Sequence, residues 1–137
     1  MPLTFLVSGA SAGFGAAIAR RAIADGHRVI AAARRRERLE ELHRELGERL
    51  LPLVLDVTDG PTVARLPASL PADWQEVDVL VNNAGLAKGI DPAPEATLAN
   101  WDTMVATNVT GLLHLTRAIL PGMVARDRGH VINIGSV

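Results

Sequence analysis

The residues with the clearest chemical potential form a glycine-rich loop, Ser8-Gly9-Ala10-Ser11-Ala12-Gly13-Phe14-Gly15, set between an apolar run and a helical pattern. Gly9 can take the positive φ of a tight turn, Gly13 leaves room for a pyrophosphate to approach the backbone, and Gly15 lets helix pack on strand. The N–H groups that open the helix at Gly13 then face the anion, and the helix dipole adds to the attraction. Ser8, Gly9, Ser11, Ala12, Gly13, Phe14 and Gly15 are therefore candidate phosphate and cofactor contacts. The spacing is Gly-x-x-x-Gly-x-Gly. Alone, it also describes a tight strand–helix turn that binds nothing.

About 20 positions beyond such a loop, a site for NAD places an acidic residue that holds the ribose 2′-hydroxyl. This chain has Ala31-Ala32-Ala33-Arg34-Arg35-Arg36 there, with no carboxylate. Guanidinium forks match a 2′-phosphate, and a carboxylate would repel it. Arg34 and Arg35 are the candidates, with Arg36 left to solvent or to Glu40. Cations at a helix start oppose the macrodipole, a penalty that a bound anion removes. The pattern points to NADP(H); a solvated basic turn is the plain alternative.

These residues need a scaffold, and the chain supplies one by alternating short apolar runs with helix-length periodic segments. Strands are expected at Leu3–Val7, Val29–Ala33, Leu51–Leu55, Val77–Val81 and Val131–Ile134. Helices are expected at Gly13–Asp25, closed by Gly26, and from Arg35 to Leu46, closed by Gly47. A short helix should follow Pro61, and a long one should run from near Asn100 into the 112–124 region. Strands apolar on consecutive residues imply helices on both faces of the sheet. The expected fold is α/β: one Rossmann-type, doubly wound parallel sheet in a single domain over residues 1–137. Such a sheet normally has a sixth strand, so the five present read as the N-terminal part of a single-domain protein whose C-terminal part is missing. On this reading the glycine loop, Arg34, Asp56, Asn82–Gly85 and Ser136 fall at the carboxyl ends of strands one to five. Ligands of open α/β sheets bind at that edge.

The loop resembles that of the short-chain dehydrogenase/reductase family, with Ser8 where threonine is commoner. Asn82-Asn83-Ala84-Gly85 looks like the family's second signature, Asn108 in Ala106-Thr107-Asn108-Val109-Thr110-Gly111 like its third, and Asn133-Ile134-Gly135-Ser136 like its fourth. The resemblance implies that Asp56, with Val57, contacts the adenine, and that Asn83 approaches the cofactor ribose while Asn82, Ala84 and Gly85 shape the turn. On local grounds Asp56 serves equally as a turn or cap residue. The resemblance further implies that Asn108, at a local distortion of the long helix, holds a water of the proton relay. A buried Asn bonded to a neighbouring strand is the alternative there. Ser136 matches the serine that hydrogen-bonds the substrate oxygen and steadies charge developing on it. Within the family the phrases Ala12–Gly15, Arg35–Leu42, Asn83–Ala87 and Arg117–Val124 resemble NADP-dependent 3-hydroxy acid dehydrogenases. The implied substrate is a small hydroxy acid or carbonyl compound.

The family's proton donor is a tyrosine in a Tyr-x-x-x-Lys helix beyond the serine, where the lysine lowers the tyrosine's pKa. This chain has no tyrosine, and its one lysine is Lys88. The chain as given is therefore expected not to turn over substrate. A non-catalytic NADP-binding module derived from the family is the competing reading.

Bulk properties narrow the field further. A formal net charge of -1 offers no general pull toward nucleic acid or an anionic membrane. The absence of cysteine excludes disulfides and thiol chemistry, and four scattered histidines lack ligand spacing, so no metal is expected. The N-terminus lacks the basic lead of a signal peptide, and no apolar run reaches the roughly 18 residues of a span. A cytoplasmic protein is expected. The apolar residues of the long helix exceed one face, which suggests a subunit contact, and the family resemblance implies a homo-oligomer, a dimer or tetramer, for the complete protein.

Overall fold

A computed structural model describes residues 2–135. Five strands form one all-parallel sheet: β1 (Thr4–Ser8), β2 (Arg28–Ala33), β3 (Leu50–Val54), β4 (Val79–Asn82) and β5 (His130–Asn133), in the order β3-β2-β1-β4-β5. Helices α1 (Gly13–Ala24) and α2 (Arg36–Leu46) connect the first three strands. Two short helices, α3 (Gly60–Ala64) and α4 (Leu66–Ser69), lead toward β4. α5 (Leu98–Val105), a π-helical segment (Ala106–Gly111) and α6 (Leu112–Ala125) follow it as one continuous rod. Strand order reverses between β1 and β4, and this switch point opens a crevice at the carboxyl ends.

The uninterrupted apolar strands are explained by two separate cores. Successive side chains of a strand point to opposite faces. Leu6, Ile30, Ala32 and Leu80 accordingly enter a core with Val63, Leu66, Leu115, Ile119 and Met123 of the α3, α4 and α6 layer. Val7, Val29, Ala31, Ala33, Val79 and Val81 enter another with Ala19, Ala22, Leu39 and Leu42 of the α1 and α2 layer. A strand coated on both faces has no place for an alternating polar residue. Pro52, which lacks a ladder N–H, is tolerated because β3 pairs only with β2.

The expected element types hold, with shifted boundaries. β1 includes Ser8, whose partner in the ladder is Ala32. β4 starts at Val79 rather than Val77, because the Asp78 carboxylate takes the Thr4 N–H that a ladder carbonyl would otherwise take. β3 ends at Val54, which leaves Asp56 in the following turn. The long helix starts at Leu98, capped by the Thr97 side chain on Asn100 N–H, and it is π-helical where a weak helical stretch was expected. Among the described residues no helix is long and apolar enough to cross a membrane.

Candidate functional site

Four chain segments meet at the switch point and, with Thr107 of the π-helical segment, enclose a cleft of about 650 Å³. The first is the glycine loop. Gly9 has φ +63° and Gly13 has φ +56°, both in the left-handed region that costs a glycine nothing. A Cβ built on Gly13 meets nothing within 4 Å, so this turn borders open space, and Ser11, Ala12 and Gly13 line the cleft. Gly15 differs from expectation. Its Cβ would lie 2.2 Å from the Gly9 carbonyl oxygen and 2.6 Å from Asn83 Nδ2, so the crowding comes from the loop itself rather than from the strand beneath. The N-cap Ala12 offers no side-chain acceptor, and α1 has no acid in its first turn. Its opening N–H groups thus have no side-chain cap, and Gly13, where they begin, lines the cleft.

The second and third segments are the ends of β2 and β3. Arg34 and Arg35 line the cleft and are exposed, and Arg35 is the N-cap of α2 with no side-chain cap bond. Asp56 lines the cleft while its Oδ1 accepts from Thr58 N–H (2.9 Å) and Thr58 Oγ–H (2.7 Å). It holds the turn and faces the cleft at once. Buried Val57 stands beside it.

The fourth segment is the exit of β4. Ser8 is buried, and its Oγ accepts from Asn83 N–H (3.0 Å) and Ala84 N–H (2.9 Å). The Asn83 amide donates to the Gly9 carbonyl (3.2 Å). One hydroxyl and one amide therefore fix the Asn83–Gly85 turn against the glycine loop. Ser8 is a tie between strands rather than part of the cleft wall, and its hydroxyl performs the bond without a threonine methyl. Asn82 does not shape that turn with its side chain. It is buried, and its Nδ2 donates to Thr116 Oγ1 (3.0 Å) and Asn133 Oδ1 (3.0 Å), joining β4 to α6 and β5.

Asn108 sits in the π-helical segment and clamps Leu86 from both sides. Its Nδ2 donates to the Leu86 carbonyl (2.8 Å), and its Oδ1 accepts the Leu86 N–H (2.9 Å). Its partner is the loop after β4 rather than a neighbouring strand. Phe14 is 77% exposed and its ring lies off the cleft wall. Ser136 lies outside the described residues. Sequence reasoning missed Leu86 and Thr107, which both line the cleft. Their only signal was adjacency, Leu86 following Asn83-Ala84-Gly85 and Thr107 preceding Asn108. Among the described residues no three His, Asp or Glu side chains come together as a metal site.

A family model described as short chain dehydrogenase matches residues 4–137. The chain belongs to this family. An NADP-dependent 3-hydroxy acid dehydrogenase from Salmonella typhi is 57% identical over 131 residues, 96% of this chain and 53% of that protein. Crystalline serine dehydrogenase from Escherichia coli superposes with a TM-score of 0.94 at 54% identity, over 98% of this chain and 62% of that one. A closed form of serine dehydrogenase complexed with NADP+ superposes with a TM-score of 0.96 at 54% identity, over 98% of this chain and 54% of that one. The chain spans about half the length of the curated relatives it matches. The expected Rossmann-type α/β fold is the one observed.

Proposed function

We propose that the chain is the NADP(H)-binding part of an oxidoreductase that moves a hydride between the cofactor and a small hydroxy acid or the matching carbonyl compound. The observation that carries this reading is the charge pattern at the end of β2. Arg34 and Arg35 face the cleft where an acid would serve NAD, and the carboxylate on the wall, Asp56, lies in the turn after β3. The donor set also fits a dinucleotide: an α1 N-terminus without a side-chain cap for the pyrophosphate, guanidinium groups for a 2′-phosphate, and Asp56 with Val57 for the adenine. Relatives named for NADP dependence and for 3-hydroxy acids and serine agree with it.

The nicotinamide, when bound, supplies or accepts the hydride. The chain's own residues then do three things. Ser8 and Asn83 hold the glycine loop and the β4 exit at a fixed separation, which keeps the cleft open at its binding width. Asn108 fixes the Leu86 loop and holds a water for the proton relay. Ser136 donates to the substrate oxygen. The proton itself needs a donor such as a tyrosine, and the chain has none.

The test is titration of the chain with NADPH and with NADH, followed by nucleotide fluorescence. Wild type should favour NADPH. Arg34→Asp with Arg35→Ala should erase about 100-fold of that preference, two charge-assisted bonds at about 1.5 kcal/mol each. Equal affinity of the wild type for both nucleotides would overturn the reading. The isolated chain should reduce no 3-oxo acid at the expense of NADPH, and measurable turnover would refute its assignment as a part lacking the proton donor.

A homo-oligomer belongs to the same reading, as does a cytoplasmic setting. Leu98, Trp101, Val105, Val109, Leu113, Leu120 and Val124 are all exposed at helical spacing along the α5–α6 rod. Asp102 lies in its amino half and Arg117 in its carboxyl half, both exposed. Two copies of the rod packed antiparallel would bury the apolar stripe and set Asp102 of one against Arg117 of the other, the self-complementarity a two-fold contact requires.

A further inference from the structure

The π-helical segment Ala106–Gly111 faces two ways. Toward the site, Thr107 lines the cleft and Asn108 clamps Leu86. Gly111 is pressed so close to the cleft-wall residue Val57 that a Cβ on it would lie 2.7 Å from Val57 Cγ2. Away from the site, Val109 is 51% exposed and stands in the apolar stripe between Val105 and Leu113. A single six-residue segment therefore presents Thr107, Asn108 and Gly111 toward the cofactor cleft and Val109 to the outer face.

Its hydrogen-bond pattern is a costly one. The π-helix is rare, and this stretch, Ala-Thr-Asn-Val-Thr-Gly, is poor in helix formers. The competing arrangement is plain α-helix. Converting the segment would change its turn angle and rotate Asn108 away from Leu86 and Val109 out of the stripe together. Both surfaces thus depend on one local arrangement, and a ligand packed on either surface favours it. Two ligands that favour one arrangement strengthen each other's binding by equal factors.

We propose that pairing with a second copy along the α5–α6 stripe and NADP(H) binding in the cleft are reciprocally linked through this π-helical segment. The proposal rests on the cofactor and association readings above and adds their coupling. It requires no contact between the partner and the cofactor: the partner packs on Val109 and its stripe neighbours, while the cofactor packs against Thr107, Leu86 and Val57.

The test measures NADPH affinity of the chain by fluorescence at protein concentrations below and above the monomer–dimer midpoint found by sedimentation. Affinity in the paired state should be at least about 5-fold tighter, the lower end of typical coupling. Saturating NADPH should tighten pairing by the same factor. Leu113→Glu, on the exposed stripe and away from the cleft, should abolish pairing and hold NADPH affinity at its dilute value at all concentrations. Pairing with identical NADPH affinity on both sides of the midpoint would overturn the linkage alone. A wild-type chain that never pairs overturns the linkage and the association reading together. Failure to bind NADPH at any concentration overturns the cofactor reading, and the linkage with it.

Discussion

The two edges of the sheet handle polar groups in opposite ways. At the amino edge a cleft of about 460 Å³ is bordered by Thr4, Arg28, Arg49, Asp73, Glu76, Asp78 and Arg128. Most of these groups satisfy one another. Arg28 lies 4.2 Å over the Trp74 ring and donates to Thr4 Oγ1 (3.1 Å) and the Asp73 carbonyl (2.6 Å), while Asp78 takes Arg128 and the Thr4 N–H. At the carboxyl edge the bonds run between side chain and backbone, through Ser8, Asn83 and Asn108, and they fix loops without neutralising the arginines. Arg34 and Arg35 keep their charge for something else. A concavity becomes a candidate site less by its size than by what its polar groups leave unpaired.

The sharpest way to break this contrast is Gly15→Ala. Its methyl would overlap the Gly9 carbonyl and the Asn83 amide, so the loop must open. Stability should fall by about 3 kcal/mol, the upper range for overpacking, and NADPH binding should be lost. A melting curve and a titration close to wild type would show that the loop yields easily.

Asp78→Ala probes the other edge. Removing the carboxylate leaves the Thr4 N–H unpaired and should cost about 2 kcal/mol, with NADPH affinity measured well below the melting temperature unchanged. Burial pushes the Asp78 carboxyl up, yet the hydrogen bonds from Arg128 and Thr4 and the charges of Arg128 and Arg126 prevail and hold it below the ordinary carboxylate range. Because the folded value lies below the unfolded one, its stabilisation is complete above about pH 4 and is lost as pH falls through the depressed value. Urea melts between neutral pH and about pH 2 should show this acid loss in wild type and less of it in Asp78→Asn. Identical acid profiles would place the loss on other carboxylates.

The smallest effect is expected from Thr107→Val, which keeps the shape of the cleft wall and removes one hydroxyl. NADPH affinity should weaken by no more than about 5-fold, within the net value of one neutral hydrogen bond. A loss beyond about 50-fold would mean that Thr107 does more than complete a wall.

The fold was legible because its pattern is redundant. Leu6 with Val7 and Leu80 with Val81 show that both faces of a strand are coated, and Gly26 (φ +90°) and Gly47 (φ +81°) do end their helices. The glycine loop, Arg34, Arg35 and the Asn83 turn were legible as types at a sheet edge. What the sequence hid was direction. Nothing local shows that the Ser8 hydroxyl turns inward to the β4 backbone, that Asn82 reaches Thr116 and Asn133, or that Phe14 turns outward. For Ser8 and Asn82 the outcome depends on partners 34 to 76 residues away. A distortion at Asn108 was expected from the family resemblance, but its π-helical form was not legible, since it is set by what Asn108 and Gly111 meet rather than by their propensities.

The tie between Ser8 and Asn83 spans 75 residues of chain, and with it goes a consequence for the order of folding. The β1–β2 hydrogen bonds join residues about two dozen positions apart, so that pairing can form early. The cleft has no wall opposite the glycine loop until β4 has crossed over and docked on β1, after the longer loop has closed. A ligand held in the cleft therefore binds only chains that have completed this step. NADPH should act as a reporter of finished folding and should slow unfolding of the β1–β4 seam more than that of the β1–β2–β3 side.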